Sequence, residues 1–239
     1  MSIAVITFPG SNCDRDCLHV LQNVVGAPAR MVFHKDTELG DDCTGVLVPG
    51  GFSYGDYLRA GALAKIAPVM PAIKRFADAG GPVLGICNGF QILCEVGLLP
   101  GALMLNKTLR FISRHVDMRV ESSDTLFTRY LWQDQIIRMP IAHAEGNFFA
   151  DPDTLAKLSA NNQIVFRYVG PERHDAPAGN PNGSAMSIAG IVNEAGNVLG
   201  MMPHPDRASE AVLGSTDGLP IFRAFAEAAL HSSRIDFSA

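Results

Sequence analysis

The stretch 82–91, Pro-Val-Leu-Gly-Ile-Cys-Asn-Gly-Phe-Gln, restricts the possible folds of this chain more than any other. Its apolar start predicts a buried strand, and the residues after Cys87 follow a helical pattern. Gly85 and Gly89 flank the cysteine because a sharp strand-to-helix turn leaves no room for Cβ atoms, as in the nucleophile elbow of serine hydrolases. We therefore predict that Cys87 lies between the end of a strand and the start of a helix.

A cysteine in this position has two interpretations. A helix N-terminus supplies free backbone N–H groups and a partial positive charge, and both favour the nucleophilic thiolate. Alternatively, Cys87 is a small core residue, because free cysteine is among the most buried residue types. We expect the other cysteines either to be small core residues or to lie near the surface without a function. They are Cys13, Cys17, Cys43 and Cys94.

A second apolar run ends in a polar turn at 198–207. A cysteine nucleophile needs a base that can later protonate the leaving amine, and this base needs an acceptor that fixes its tautomer. His204 and Asp206 supply such a pair. A His-Pro-Asp sequence alone is weak evidence, but strand ends that are distant in sequence meet at one crevice in an α/β sheet. We therefore expect Cys87 and His204 to lie together.

Strands and helices alternate in the first half of the chain, which predicts a mainly parallel sheet covered on both faces. Strands are predicted at 2–8, 45–49, 82–86, 184–192 and 197–202, with strand-like alternation at 110–120 and 164–169. Helices are predicted from a cap at Ser11 or Asn12 to Gly26, in part of 60–79, after Cys87, and over 219–231. A polar loop is expected at 171–183, and residues 1–239 are predicted to form one α/β domain.

The two motifs together resemble the class I, or triad, glutamine amidotransferases. Further segments are similar to the glutaminase subunits of phosphoribosylformylglycinamidine synthases: 4–14, 48–56, 141–147 and 181–184. The resemblance runs from the first strand to the last helix. It implies a three-layer sandwich with a mainly parallel, flavodoxin-like sheet.

The resemblance also implies a catalytic triad. Cys87 would attack the side-chain amide carbon of glutamine and form a cysteinyl thioester, and His204 would act as general base and acid. Asp206 would orient His204. The family usually has glutamate at this position, and aspartate is one methylene shorter. Either the loop brings Asp206 closer to His204, or its hold on the imidazole is looser.

The remaining implied roles concern the substrate. The backbone N–H groups of Gly51 and Asn88 would form the oxyanion hole. This assignment makes physical sense, because Asn88 follows the nucleophile and a glycine at 51 lets a backbone amide approach closely. Gln91 would help to recognise the substrate glutamine.

The implied reaction is the supply of ammonia to a partner. A synthetase large subunit would use it to convert formylglycinamide ribonucleotide and ATP into formylglycinamidine ribonucleotide in purine biosynthesis, and a small third subunit commonly bridges the two. ATP and Mg are expected on the synthetase. We expect no cofactor in this chain, which has no P-loop sequence. We also expect no metal, because Cys13, Cys17 and His19 lack the paired spacing of zinc sites.

Composition agrees with a compact enzyme, since 239 residues with 47% hydrophobic content can bury a large core. A net charge of −5 without a basic run argues against nucleic acid as a partner. No apolar stretch is long enough for a membrane span. An odd number of cysteines, 5, and no apparent export signal indicate a reducing compartment, so a cytoplasmic location is expected.

Two other functions remain open from the sequence. One is a stand-alone cysteine hydrolase or stress protein of the DJ-1 type, which has a similar elbow and would be active without glutamine. The other is a non-catalytic subunit that keeps the fold only to bind a partner. The Cys87, His204 and Asp206 positions argue against the second function, because each carries a residue type that catalysis needs.

Overall fold

The computed structural model describes residues 1–170 and 179–231. Positions 171–178 of the polar loop predicted at 171–183 therefore lie outside the described residues. The strands are β1 Ser2–Thr7, β2 Ala29–Phe33, β3 Cys43–Val48, β4 Val83–Ile86, β5 Ala102–Met104, β6 Ile112–Val120, β7 Ile136–His143, β8 Asn147–Phe149, β9 Ile164–Val169, β10 Ile188–Val192 and β11 Val198–Met201. The helices are α1 Asp14–His19, α2 Met70–Asp78, α3 Asn88–Glu95, α4 Pro152–Ala160 and α5 Leu219–His231.

One sheet organises the described part of the chain, in the strand order β2-β1-β3-β4-β11-β10-β9-β6-β7. The strands from β2 to β11 in this order pair in parallel. All residues of β3, β4 and β11 are buried, which explains why these strands are apolar apart from Thr44. The order 2-1-3-4 of the parallel half is that of a flavodoxin-like sheet, so the predicted fold class is confirmed.

Helices cover both faces of the parallel half. The connections β1–α1–β2 and β3–α2–β4 run in opposite directions along the sheet, so right-handed crossovers place α1 and α2 on opposite faces. Helix α5 packs against β1, β3 and the π-helical turn Val20–Val25 that follows α1. Helix α3 packs against β4 and β11. No helix in residues 1–170 or 179–231 has the length and apolar character needed to cross a membrane.

The other half of the sheet is antiparallel. Strands β10, β9, β6 and β7 extend it beyond β11, and β6 and β9 confirm the strand-like segments expected at 110–120 and 164–169. The strand expected at 184–192 begins only at Ile188. Met186 and Ser187 have φ angles of 52° and 57°, which end the extended conformation before the strand.

The predicted cap of the first helix is wrong. Cys13 occupies the N-cap position, and no side chain caps the helix. The Ser11 hydroxyl accepts a hydrogen bond from the Phe8 N–H instead, and the Asn12 side-chain oxygen accepts one from the Cys13 thiol. The end of this helical segment is as expected, because Gly26 closes it in the left-handed conformation at φ 78°.

Candidate active site

The structure places Cys87 in a strained turn between β4 and α3. Its φ and ψ angles are 51° and −104°, a conformation that costs energy for any residue with a side chain. The Cys87 N–H donates to Met201 O at 2.7 Å, which ties the turn to the end of β11. The Cys87 Sγ lies 3.7 Å from Ala142 O on β7. The thiol is therefore held at the N-terminus of a helix and at the carboxyl edge of the sheet.

The two elbow glycines are required by space. A Cβ on Gly89 would lie 1.9 Å from the backbone oxygen of Val48, and one on Gly85 would lie 2.5 Å from Leu93 Cδ1. The first contact involves backbone on the neighbouring strand β3, so it cannot be relieved by a side-chain rotation. These close contacts let α3 approach the sheet and hold Cys87 at its end.

His204 follows β11 and is 1% exposed. Its backbone N–H donates to Pro140 O on β7 at 2.9 Å. The ring Nδ1 lies 3.3 Å from Asp206 Oδ1 and 3.4 Å from Oδ2, and only the longer contact has hydrogen-bond geometry. A charge-assisted hydrogen bond is normally about 2.7–2.9 Å long. Of the two arrangements left open by the shorter aspartate, the structure has the looser one.

The charge of His204 depends on its neighbours. Burial alone would lower the pKa of His204, but the charges of Asp206 and Cys87 and the contacts with Asp206 and Cys13 raise this pKa well above its ordinary value. Because Nδ1 faces Asp206, Nε2 is the ring nitrogen that remains for proton transfer. Nε2 is buried and has no hydrogen-bond partner among the described residues. The charged form of His204 is thus favoured beside the elbow of Cys87.

The loop that follows β3 contains Gly51 at φ 145°. A Cβ there would lie 2.8 Å from both Asn12 N and Ser11 Cα, so only glycine fits. A bridge between Ser11 and Gly51, with the Phe52 N–H donating to Gly10 O at 2.9 Å, ties this loop to the one after β1. The backbone at Gly51 is therefore fixed by its neighbours.

Asn88 and Gln91 form a hydrogen-bonded chain along the first turn of α3. Asn88 is the first helical residue, where backbone N–H groups have no partner within the helix. Its side-chain oxygen accepts from the Ser53 N–H at 3.1 Å, and its side-chain nitrogen donates to Gln91 Oε1 at 2.8 Å. Gln91 Nε2 donates in turn to Glu145 O at 2.6 Å. Both ends of the Gln91 amide are thus bonded to the protein.

A second buried histidine was not singled out from the sequence. The His143 Nδ1 lies 3.1 Å from Asn106 Oδ1, while the Asn106 nitrogen donates to the carbonyls of Arg110 and His143. These bonds fix Oδ1 as an acceptor and assign the proton to Nδ1. Burial, and then the charge of His204, lower the pKa of His143 to about 4. His143 is therefore neutral at physiological pH, with a buried Nε2 that has no hydrogen-bond partner among residues 1–170 and 179–231.

Two acidic residues that influence each other, Asp56 and Glu145, were also not singled out from the sequence. Glu145 Oε2 accepts from the Ala60 N–H at 3.1 Å. Burial, and then the charge of Glu145, raise the pKa of Asp56 to about 6. Asp56 Oδ1 is buried without a hydrogen-bond partner in the described part of the chain. Both residues lie in segments that carry the family resemblance, 48–56 and 141–147, but nothing in the sequence shows that these segments meet.

Cys13 is buried as expected, but it is not idle. Its Sγ lies 3.9 Å from His204 Nδ1 and accepts a hydrogen bond from Arg207 Nη2 at 3.0 Å. Cys13, Cys17 and His19, considered together in the sequence, are not a potential ligand group among the described residues, and His19 Nε2 pairs with Glu210 Oε2 at 2.9 Å. Cys13 groups instead with the histidine turn, a contact that no local pattern predicts.

A nucleophile elbow, a buried histidine with a neighbouring carboxylate, and a helix N-terminus thus meet at one edge of a class I glutamine amidotransferase-like fold. The family of CobB/CobQ-like glutamine amidotransferase domains matches residues 1–228. The phosphoribosylformylglycinamidine synthase subunit PurQ of Moorella thermoacetica is 55% identical over 219 residues, which cover 91% of this chain and 92% of that protein.

Solved structures agree with this match. A chain in the structure of PurLQS from Thermotoga maritima is 42% identical with a TM-score of 0.84, over 95% of this chain and 97% of that one. The glutaminase domain of Trypanosoma brucei CTPS, at 14% identity and a TM-score of 0.61 over 97% and 94% of the two chains, shares the fold. The chain belongs to the CobB/CobQ-like glutamine amidotransferase family, and it is an enzyme of the glutamine amidotransferase class.

The close approach of α3 to β3 predicts the effect of one methyl group. Gly89→Ala should lower the free energy of unfolding by about 2–3 kcal/mol, because its Cβ would overlap backbone that cannot move freely. Urea denaturation measures this loss. Gly196→Asn is the control, since position 196 has open space and asparagine tolerates its left-handed φ of 75°. Equal stability of Gly89→Ala and the native chain would contradict this account of the elbow.

The long contact between His204 and Asp206 predicts a graded response to substitution. Asp206→Asn should lower kcat for glutamine hydrolysis by about 100-fold or more, because the amide can stabilise the wrong imidazole tautomer. Asp206→Glu should retain activity if the loop can relax around the longer side chain. Steady-state kinetics of the two variants measure this. If Asp206→Asn turns over as fast as the native chain, His204 works with Cys87 alone.

Proposed function

We propose that this chain is the glutaminase subunit of phosphoribosylformylglycinamidine synthase. The observation that carries the proposal is the meeting of Cys87 and the His204–Asp206 turn at the ends of β4 and β11, in a chain similar to PurQ over nine-tenths of its length. The subunit releases ammonia from glutamine. A synthetase then uses this ammonia with ATP to convert formylglycinamide ribonucleotide into formylglycinamidine ribonucleotide.

The first half of the reaction forms a thioester. Cys87 attacks the side-chain amide carbon of glutamine as a thiolate, and its charge is stabilised by the His204 imidazolium. The amide oxygen becomes negative and accepts hydrogen bonds from the backbone N–H groups of Gly51 and Asn88. When the tetrahedral intermediate collapses, the C–N bond breaks and the nitrogen takes the proton from His204 Nε2. Ammonia leaves, and a glutamyl thioester remains on Cys87.

The second half releases glutamate. Neutral His204 accepts a proton from water at Nε2, and the resulting hydroxide attacks the thioester carbon. The same oxyanion hole stabilises the second tetrahedral intermediate. Its collapse breaks the C–S bond and restores the Cys87 thiolate beside the His204 imidazolium. These steps use only groups of this chain, and ATP and Mg belong to the synthetase.

Asp56 and Glu145 fit the other end of the substrate. Glutamine carries an α-ammonium group, and the carboxylates of Asp56 and Glu145 influence each other. The backbone oxygen of Glu145 accepts a hydrogen bond from Gln91, which lies one helical turn from the nucleophile. The mutual repulsion of the carboxylates would be relieved by a cation. Gln91 acts as a positioning residue here, because its amide holds the backbone at Glu145.

This subsite predicts a pH-dependent KM. The carboxylate pair has its full negative charge only above the Asp56 pKa of about 6, so the KM for glutamine should rise as the pH falls through this value. Asp56→Asn should raise the KM by about tenfold or more above pH 6 and flatten its pH dependence. Initial rates against glutamine concentration across this range test the prediction. An unchanged KM in Asp56→Asn would remove Asp56 from the subsite.

An apolar surface beside the site fits the synthetase partner. Phe52, Tyr57 and Leu58 are exposed on the loop that follows Gly51, and Phe52 packs 6.4 Å from the exposed ring of Phe111. PurQ of M. thermoacetica is described as a subunit, and the T. maritima structure is of PurLQS. We place the synthetase on this surface, where ammonia would pass directly between the proteins. A small bridging subunit and a cytoplasmic location complete the proposal.

Introducing a charged side chain at position 58 tests whether this surface binds the synthetase. Leu58→Glu should weaken synthetase binding about tenfold or more, since Leu58 is 87% exposed and would lie in the interface. Trp132→Glu is the matched control, because Trp132 is 66% exposed in the loop between β6 and β7, at the opposite end of β7 from His143. Analytical ultracentrifugation of the mixed subunits measures both. If Trp132→Glu weakens synthetase binding and Leu58→Glu does not, the synthetase binds at a different surface.

The decisive variant of the proposed function is Cys87→Ala. In the assembled enzyme it should abolish synthesis from glutamine while leaving synthesis from added ammonia, because the synthetase chemistry lies on another chain. Product formation with each nitrogen source measures this. Retained glutamine-dependent synthesis would refute the triad. Activity that never requires glutamine or a synthetase would favour a stand-alone hydrolase, and absence of any glutamine-dependent synthesis in the native complex would favour a non-catalytic subunit.

A further inference from the structure

Three potential metal ligands meet on the side of His204 that faces away from the reaction. The Cys13 sulfur, the His204 Nδ1 and a carboxylate oxygen of Asp206 all lie within 4.8 Å of one another, and all three residues are buried. Asp206 Oδ1 has no hydrogen-bond partner in the described part of the chain, although its side chain is fully buried. His204 Nδ1 lies 3.3 Å from this oxygen without hydrogen-bond geometry, so a cation that replaced the Nδ1 proton would bond the oxygen directly.

The separations of these atoms fit one small cation. The distance from Nδ1 to the carboxylate is 3.3 Å, and that from Nδ1 to the sulfur is 3.9 Å. Tetrahedral zinc, with bonds of about 2.0–2.3 Å, holds neighbouring ligand atoms roughly 3.3–3.8 Å apart. Thiolate, imidazole and carboxylate are also the three ligand types that zinc accepts in proteins. His204 Nδ1 therefore already lies close to the distance that zinc would impose from each of the other two ligand atoms.

We propose that Zn²⁺, or another divalent cation that accepts thiolate, binds Cys13, His204 and Asp206 and inhibits the enzyme reversibly. The cation is an inhibitor at this site and not a resident cofactor. Its binding is independent of the proposed function, whereas the inhibition rests on the role given to His204 in glutamine hydrolysis.

The inhibition follows from where the protons go. Zinc takes the Nδ1 lone pair, so the Nδ1 proton is released, and the Cys13 thiol loses its proton as well. The imidazole then has one proton, on Nε2. It has no free lone pair to accept a proton from water, and it is no longer the imidazolium that protonates ammonia. Both halves of the reaction lose their proton carrier.

Arg207 competes with the cation. Its Nη2 donates to the Cys13 sulfur at 3.0 Å, and its Nε lies 3.9 Å from Asp206 Oδ2, so its charge occupies the position that the metal needs. The Arg207 side chain is 36% exposed and can move towards solvent. Removing this guanidinium should therefore tighten metal binding, which distinguishes the site from a simple reaction of zinc with the nucleophile.

Cobalt binding tests the site without enzyme activity. Co²⁺ titrated into Cys87→Ala, which has no nucleophile thiol, should produce a thiolate-to-cobalt absorption band. The additional change Cys13→Ser should abolish this band, whereas Cys94→Ser in the same background should retain it. A band that persists without Cys13, or no band in Cys87→Ala, would overturn the proposal. Arg207→Ala in the Cys87→Ala background should shift the titration to lower Co²⁺, and a shift to higher Co²⁺ would contradict it.

Zinc inhibition of glutamine hydrolysis tests whether metal binding at this site affects activity. In the native enzyme, Zn²⁺ should inhibit and EDTA should restore the rate. Cys13→Ser, measured against its own zinc-free rate, should need about tenfold more Zn²⁺ or more for half-inhibition, since one ligand is lost. Equal zinc sensitivity of the two proteins would assign inhibition to Cys87 and refute the site. If the native enzyme does not hydrolyse glutamine even when zinc is absent, the proposed function is refuted. The cobalt result would still hold in that case.

Discussion

The parallel pairing of β4 with β11 is the contact on which the site depends. Gly85 lies opposite Gly200 and Ile86 opposite Met201, so both strands end at the same level of the sheet. The hydrogen bond from the Cys87 N–H to Met201 O continues this pairing into the elbow. A slip of one residue would turn one strand's side chains to the opposite face and separate the nucleophile from the histidine turn. The register thus brings Cys87 and the His204 turn to the same edge of the sheet.

Two buried imidazoles in this site differ in their pKa because their surroundings differ. Burial lowers the pKa of His143 beside the uncharged amide of Asn106, whereas charged neighbours, chiefly Asp206, outweigh burial and raise the pKa of His204. The positive charge of His204 in turn helps to lower the pKa of His143 to about 4. A second buried cation is thereby avoided. Environments that separate the pKa values of neighbouring groups are a general means of assigning acid and base roles.

Local patterns account for what could be predicted from the sequence. The elbow around Cys87, its flanking glycines and the end of the first helix at Gly26 are each set by residues close in the chain. The strands at 110–120 and 164–169 were also predictable, but their antiparallel order in the sheet was not. Long-range contacts were missed as well, because a local pattern does not show which distant residues meet. Cys13 and His204, for example, are 191 positions apart.

The helix cap was predicted wrongly because the capping side chains form other local hydrogen bonds. Ser11 and Asn12 are good capping residues by type, yet Ser11 bonds backwards to Phe8 and Asn12 bonds the Cys13 thiol. Which of several nearby donors a short polar side chain uses is decided by the path of the loop. Here that path is set by the bridge to Gly51 from the neighbouring strand end.

The pairing of Cys87 with His204 is tested most directly by the rate of Cys87 alkylation with iodoacetamide across pH, followed by peptide mass spectrometry. Burial alone would lower the pKa of His204, but the charges of Asp206 and Cys87 raise it well above its ordinary value, and a neighbouring positive charge favours the thiolate form of a cysteine. The native chain should therefore react at lower pH than His204→Asn, which retains the elbow but lacks the charge. Superimposable pH profiles for the two proteins would contradict the claim that the ends of β4 and β11 create a working nucleophile and base.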